Sequence, residues 1–173
     1  MTSIILALDL GSINTGVCVL GETVQLSDVW VWEEELPRLA VLLRQKTRRI
    51  LRQYHVDILA VERWTWFGAY AKESEKQLRM LGALETVCDE VVIEAIPPKE
   101  WQTAIVGRAP IGMARGWSTP AWKRTVRGAV ERQLQARGLM WDFGTDVGSH
   151  KADACGLAIF VRDMLMRQRR IVE

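Results

Sequence analysis

The stretch that decides the fold is Ile4-Ile5-Leu6-Ala7-Leu8-Asp9-Leu10-Gly11-Ser12-Ile13-Asn14-Thr15-Gly16. Its first five residues are uninterrupted aliphatics, which read as a strand buried on both faces. That strand runs straight into Asp9, and burying a carboxylate is costly unless it meets a cation or a strong donor. Residues 11–16 read as a turn, and Val17-Cys18-Val19-Leu20 as a strand returning beside the first. The same design recurs at Ile58-Leu59-Ala60-Val61-Glu62, a second apolar run closed by an acid. Near the C-terminus stand His150 and Asp153, three apart and so on one side of any helix they share. Carboxylates at two strand ends plus a late His-x-x-Asp suggest oxygen ligands gathered around hard divalent cations, and with them phosphodiester chemistry.

Outward from these stations the remaining elements fall into place. Residues 24–32 read as a third, antiparallel strand. A helix is expected over 34–54, with Pro37 tolerated in its first turn. Leu36, Leu39, Leu43, Ile50 and Leu51 give it an apolar face, and Arg44, Lys46, Arg48, Arg49 and Arg52 a charged one. Residues 57–61 then form a strand parallel to the first, because a helix crosses over between them. A second helix over 72–88 turns Leu78, Leu81, Ala83 and Leu84 toward the core, with Gly82 allowing a close backbone approach. Residues 91–96 read as the fifth strand and 99–106 as a short helix. Residues 107–119, with three glycines and a proline, read as a mobile loop. Helices over 121–137 and 150–167 complete the chain. The order predicts an α/β fold in one domain, 1–173: a mixed five-stranded sheet with helices on both faces. Asp9 and Glu62 then meet at the sheet centre, and the last helix lies across that end.

Composition is that of an ordinary globular chain, with 49% hydrophobic and 25% charged residues among 173. No run approaches the ~18 apolar residues of a membrane span. No basic segment precedes the first apolar run, so a signal peptide is not expected and a cytoplasmic location is. Cys18, Cys88 and Cys155 are scattered and lack paired spacing, which indicates buried thiols and neither zinc site nor disulfide framework. The net charge of +2 conceals −4 over residues 1–98 and +6 over 99–137. A basic middle segment beside an acidic site suits a phosphate backbone, although a merely solvated basic helix has the same composition.

Residues 7–16, Ala7-Leu8-Asp9-Leu10-Gly11-Ser12-Ile13-Asn14-Thr15-Gly16, resemble the opening strand and turn of RuvC-type Holliday junction resolvases, Asp-x-Gly-x-x-x-Thr-Gly. Ala60-Val61-Glu62 resembles their second acidic strand. Pro98-Lys99 with Val106-Gly107 resembles the segment before their basic helix, and residues 150–158, HKADACGLA, are similar to their closing helix. The resemblance spans essentially the whole chain. It implies an RNase H-like fold of the retroviral integrase superfamily and a homodimer that cuts four-way or branched DNA symmetrically in a bacterial or virus-infected bacterial cell. It further implies two Mg2+ or Mn2+ ions per active site, held by Asp9, Glu62, His150 and Asp153 as the catalytic and metal-binding set. In that chemistry one ion activates the attacking water and the other steadies the departing oxygen.

Several roles stay open on the sequence. Asp9 also suits an Asx-turn, and Glu62 a salt bridge to Arg63 or Arg44. His150 is either a ligand or a proton shuttle, with Asp146 a substitute ligand. Trp66 and Phe67, just beyond Glu62, are candidates to stack on bases or wedge open a junction; core or interface packing is the alternative, and Trp64 is assigned to it. Tyr70 and Lys72 could join the same loop. Lys99, Lys123, Arg124 and Arg127 are the candidate phosphate contacts. Competing functions are a nuclease acting on flaps, forks or RNA–DNA hybrids, a non-catalytic junction-binding protein, and a phosphotransferase of the actin/sugar-kinase type, whose first phosphate loop the Asp9–Gly16 segment also resembles.

Overall fold

The computed structural model describes residues 3–11, 13–63, 71–87, 91–108, 120–139, 141, 143–144 and 149–172, with the backbone alone for 71–74 and 172. Trp64, Trp66, Phe67, Tyr70, Cys88 and Asp146, the Lys72 side chain, and residues 109–119 of the expected loop therefore lie outside the described side chains. Among the described residues ten elements follow one another: β1 (Ile5–Leu10), β2 (Asn14–Leu20), β3 (Val24–Val31), α1 (Arg38–Tyr54), β4 (Ile58–Glu62), α2 (Ala71–Glu85), β5 (Val92–Ile96), α3 (Pro98–Val106), α4 (Pro120–Ala136) and α5 (His150–Val172). The five strands form one mixed sheet in the order β3-β2-β1-β4-β5. β2 is antiparallel to both β1 and β3, while β4 is parallel to β1 and to β5. This is the RNase H-like α/β arrangement, with β1 and β4 adjacent at the centre.

Side chains along a strand alternate between faces, and here the alternation sorts the core in two. Ile5, Ala7, Cys18, Ile58 and Ala60 meet Trp101 of α3, Trp122 and Val126 of α4, and Ala154, Leu157 and Val161 of α5. Leu6, Leu8, Val19, Leu59 and Val61 meet Leu39, Leu43 and Ile50 of α1 and Met80 and Leu84 of α2 on the other side. Both central strands are buried on both faces, as their unbroken aliphatic runs require.

Five local expectations are corrected. The turn is tighter than residues 11–16, because β2 already begins at Asn14. Helix α1 starts at Arg38, with Pro37 as its N-cap after a cis peptide bond, and not at residue 34. Leu78 faces outward, 55% exposed; α2 buries Gln77 in its place, which donates Nε2 to the Leu10 carbonyl at 2.7 Å. Gly82 meets nothing where a Cβ would stand, so it serves no close approach. Helix α5 also runs one turn beyond residue 167. Among the described residues no helix is long and apolar enough to cross a membrane.

Candidate active site at the ends of two parallel strands

Asp9 follows Leu8 on β1 and Glu62 follows Val61 on β4, and Leu8 and Val61 are register partners. The two acids therefore end adjacent parallel strands side by side. Their alternation with Ala7 and Ala60 puts both on the α3–α5 face of the sheet. The observed hydrogen bonding leaves the Asx-turn and salt-bridge readings without support: Asp9 lies within β1, and among the described residues no ion pair to Glu62 is seen.

Helix α5 begins beside them. His150 Nδ1 stands 2.9 Å from Asp9 Oδ2, a hydrogen bond across 141 residues of chain. Gly16 makes this approach possible: it is the register partner of Asp9, and a Cβ there would sit 2.0 Å from the His150 carbonyl oxygen. Asp153 lies in the first turn of α5, buried, with its amide donating to the Ser149 carbonyl at 2.8 Å. The α5 N-terminus directs its macrodipole at this corner, which favours negative charge there.

Glu62 turns its carboxylate inward. Its Oε2 accepts a hydrogen bond from the indole N–H of fully buried Trp101 at 2.8 Å. Burial, and then the neighbouring charge of Asp9, push the Glu62 carboxyl up to about 8, while the Trp101 hydrogen bond and the positive charge of Lys123 pull it back. Lys123 reaches this corner because α4 is pinned to α3 by Trp122 Nε1 donating to Gln102 Oε1 at 2.7 Å.

The other candidate cations divide. Arg124 is exposed on α4 next to Lys123. Arg127 is engaged within the protein: Nε pairs with Glu131 at 3.1 Å, Nη2 donates to the Gly144 carbonyl, and the guanidinium lies over Phe143. Lys99 lines a groove with Glu100, Phe160, Asp163 and Arg167 along the C-terminal half of α5, away from its His150 end. Cys18 and Cys155 are buried free thiols with sulfurs 3.0 Å apart, between β2 and α5.

Two carboxylates side by side, with burial raising one of them, make an oxygen-donor pair short of positive charge. A hard divalent cation fits that deficit, and Mg2+ or Mn2+ suits the donor chemistry. Among the described residues, no three His, Cys, Asp or Glu side chains are already arranged to hold one ion. Asp9 and Glu62 are the candidate pair for such an ion, with the His150 ring bonded to Asp9 and Asp153 one turn further along α5.

Trp101 and Gly16 carry this geometry, and sequence reading missed the first. Trp101 sits in a short amphipathic helix where a large apolar residue is unremarkable; only the tertiary contact reveals its donor role.

No protein-family model matches the chain, and comparison with curated proteins gave no match. Solved structures do match. The Thermus thermophilus RuvC structure shares 19% identity at a TM-score of 0.69, covering 94% of this chain and 96% of that one. T. thermophilus RuvC in complex with a Holliday junction substrate shares 18% at 0.67, covering 91% and 92%. The fowlpox virus resolvase with its substrate Holliday junction DNA shares 12% at 0.58, covering 94% and 98%. The fold of this chain is the RuvC-type resolvase fold.

Proposed function

We propose that this protein is a metal-dependent endonuclease that resolves four-way DNA junctions by paired, symmetrical phosphodiester hydrolysis, working as a homodimer. The observation that carries the reading is the convergence of Asp9 and Glu62 at the ends of parallel β1 and β4 with His150 bonded to Asp9. The fold adds support, because similar chains were solved with Holliday junction DNA.

Asp9 and Glu62 would hold Mg2+ or Mn2+, flanked by Asp153 and His150. The bound ions supply an activated water and charge stabilisation for an in-line displacement at phosphorus. The chain itself supplies orientation and charge. His150 fixes the Asp9 carboxylate through Nδ1, and its other ring nitrogen would serve as a ligand or carry a proton between water and the site. Trp101 aims Glu62. Lys123 brings positive charge toward the scissile phosphate, and Arg124 offers a fork for the adjoining backbone. Trp66 and Phe67 remain the proposed stacking residues at the junction centre.

The test compares a synthetic four-way junction, a flap and an RNA–DNA hybrid, each with Mg2+, Mn2+ or chelator. Symmetrical nicks in opposing strands of the junction, dependent on metal, are expected. Faster cutting of flap or hybrid would assign another substrate, and ATP hydrolysis without DNA would assign another reaction.

A further inference from the structure

Helix α1 carries Arg38, Arg44, Lys46, Arg48, Arg49 and Arg52 and contains no acidic residue. Its inner side is committed to Leu39, Leu43, Thr47 and Ile50, all buried, and Lys46 rests over the rings of Trp30 and Trp32 at 5.3 and 5.1 Å. On the outer side Gln45, Arg48, Arg49, Arg52 and Gln53 are all exposed and line one shallow depression. Among the described residues, no ion pair engages Arg48, Arg49 or Arg52. Like charges three and four apart on a helix repel and destabilise it. The macrodipole favours cations only in the last turn, where Arg52 alone is found.

This cluster is remote from the acids. The Val56 amide bonds to Leu51, and the Asp57 and Ile58 amides both bond to Ile4, so the Arg52 end of α1 lies where β1 and β4 begin. Asp9 and Glu62 stand where those strands end. A six-residue strand spans about 20 Å, and α1 covers the sheet face opposite α5.

We propose that the Arg48–Arg49–Arg52 face of α1 is a second nucleic-acid contact, gripping the phosphate backbone of a duplex arm away from the point of cleavage. The partner follows from the chemistry: planar guanidinium forks match phosphate oxygens, and the flanking amides of Gln45 and Gln53 donate to phosphate or sugar. The five lining residues include no apolar side chain, which a helix lying in a membrane surface requires. The inference rests on the reading of this chain as a junction nuclease, since that substrate has arms extending beyond the site.

The experiment uses the full chain in chelator, so nothing is cut, with a plain duplex across a salt series. The Arg48→Gln/Arg49→Gln/Arg52→Gln variant is compared with wild type and with Arg167→Gln/Arg169→Gln/Arg170→Gln, which removes equal charge elsewhere. The slope of log affinity against log salt should become shallower by about 2–3 in the first variant, near 0.9 per lost phosphate contact, and stay put in the second. An unchanged slope, or equal change in both variants, overturns the proposal. So does a loss of binding confined to phosphatidylserine vesicles, which would make the face a membrane contact. Because duplex binding is read without cleavage, a chain that shows the slope change but cuts no junction would overturn the nuclease reading alone.

Discussion

Trp101 donates its indole N–H to Glu62 Oε2 across 2.8 Å from a position with no solvent exposure. A rigid buried ring thus holds the carboxylate that burial and Asp9 together drive toward protonation. The ring is itself backed by Gly156 of α5, where an added Cβ would lie 2.6 Å from it. Helix α5 thereby touches both acids, Asp9 through His150 and Glu62 through Trp101.

Trp101→Phe should keep most of the packing and delete the donor. With a cation holding Glu62 ionised the bond is one to a charged group, contributing about 1.5–3 kcal/mol, and loss of a group that orients a metal ligand typically costs about 10–100-fold in metal affinity. Mn2+ titration by calorimetry should show that loss. An unchanged isotherm with only a lowered melting temperature would make Trp101 a packing residue.

The metal-free protein should lose stability as pH rises. The Glu62 carboxyl shifts from 4.5 to about 8 on folding, first because of burial and then because of Asp9. Between those two values the folded chain holds the extra proton, so its stability falls with rising pH through that window and levels off above it. Melting in chelator from pH 5 to about 8 should show the decline, and Glu62→Gln should flatten it. A decline of equal steepness in Glu62→Gln would place its origin elsewhere.

The strands and their acidic ends were legible because burial on both faces leaves an unbroken aliphatic run, and a carboxylate closing such a run stands out. That His150 and Asp153 share the first turn of a helix was legible from their spacing, and the structure adds the His150–Asp9 bond. Leu78 misled because helical periodicity marks a stripe and not its edges; the structure gives the inward position to Gln77, whose amide serves the Leu10 carbonyl. Charge and proximity in sequence group Lys99 and Arg127 with Lys123, yet one lies in a separate groove and the other is held by Glu131 and Gly144. No local pattern records which surface a cation faces.

Gly16→Ala should damage the site through packing alone. The new methyl carbon would need the space within 2.0 Å of the His150 carbonyl oxygen, and that atom belongs to the backbone of α5. Overpacking of this kind costs roughly 1–3 kcal/mol. It should also lengthen the His150–Asp9 contact, so cleavage should fall by more than the stability loss explains. Normal cleavage by a destabilised Gly16→Ala chain would show that His150 need not touch Asp9.

Asp9→Asn separates chemistry from architecture. The amide oxygen can still accept from His150, and β1 keeps its register, so the fold should persist. What disappears is the negative charge offered to a cation, worth several kcal/mol of transition-state stabilisation and hence on the order of 10³-fold in cleavage rate. Junction affinity in chelator should hold or improve, because one carboxylate fewer faces the phosphates. The charge that helps push the Glu62 carboxyl upward is also gone, so the metal-free melting temperature should rise. Electrophoretic binding, single-turnover cleavage and melting on the same preparation check all three. Joint loss of binding and melting temperature would make Asp9 a structural residue and remove the carboxylate pair from the chemistry.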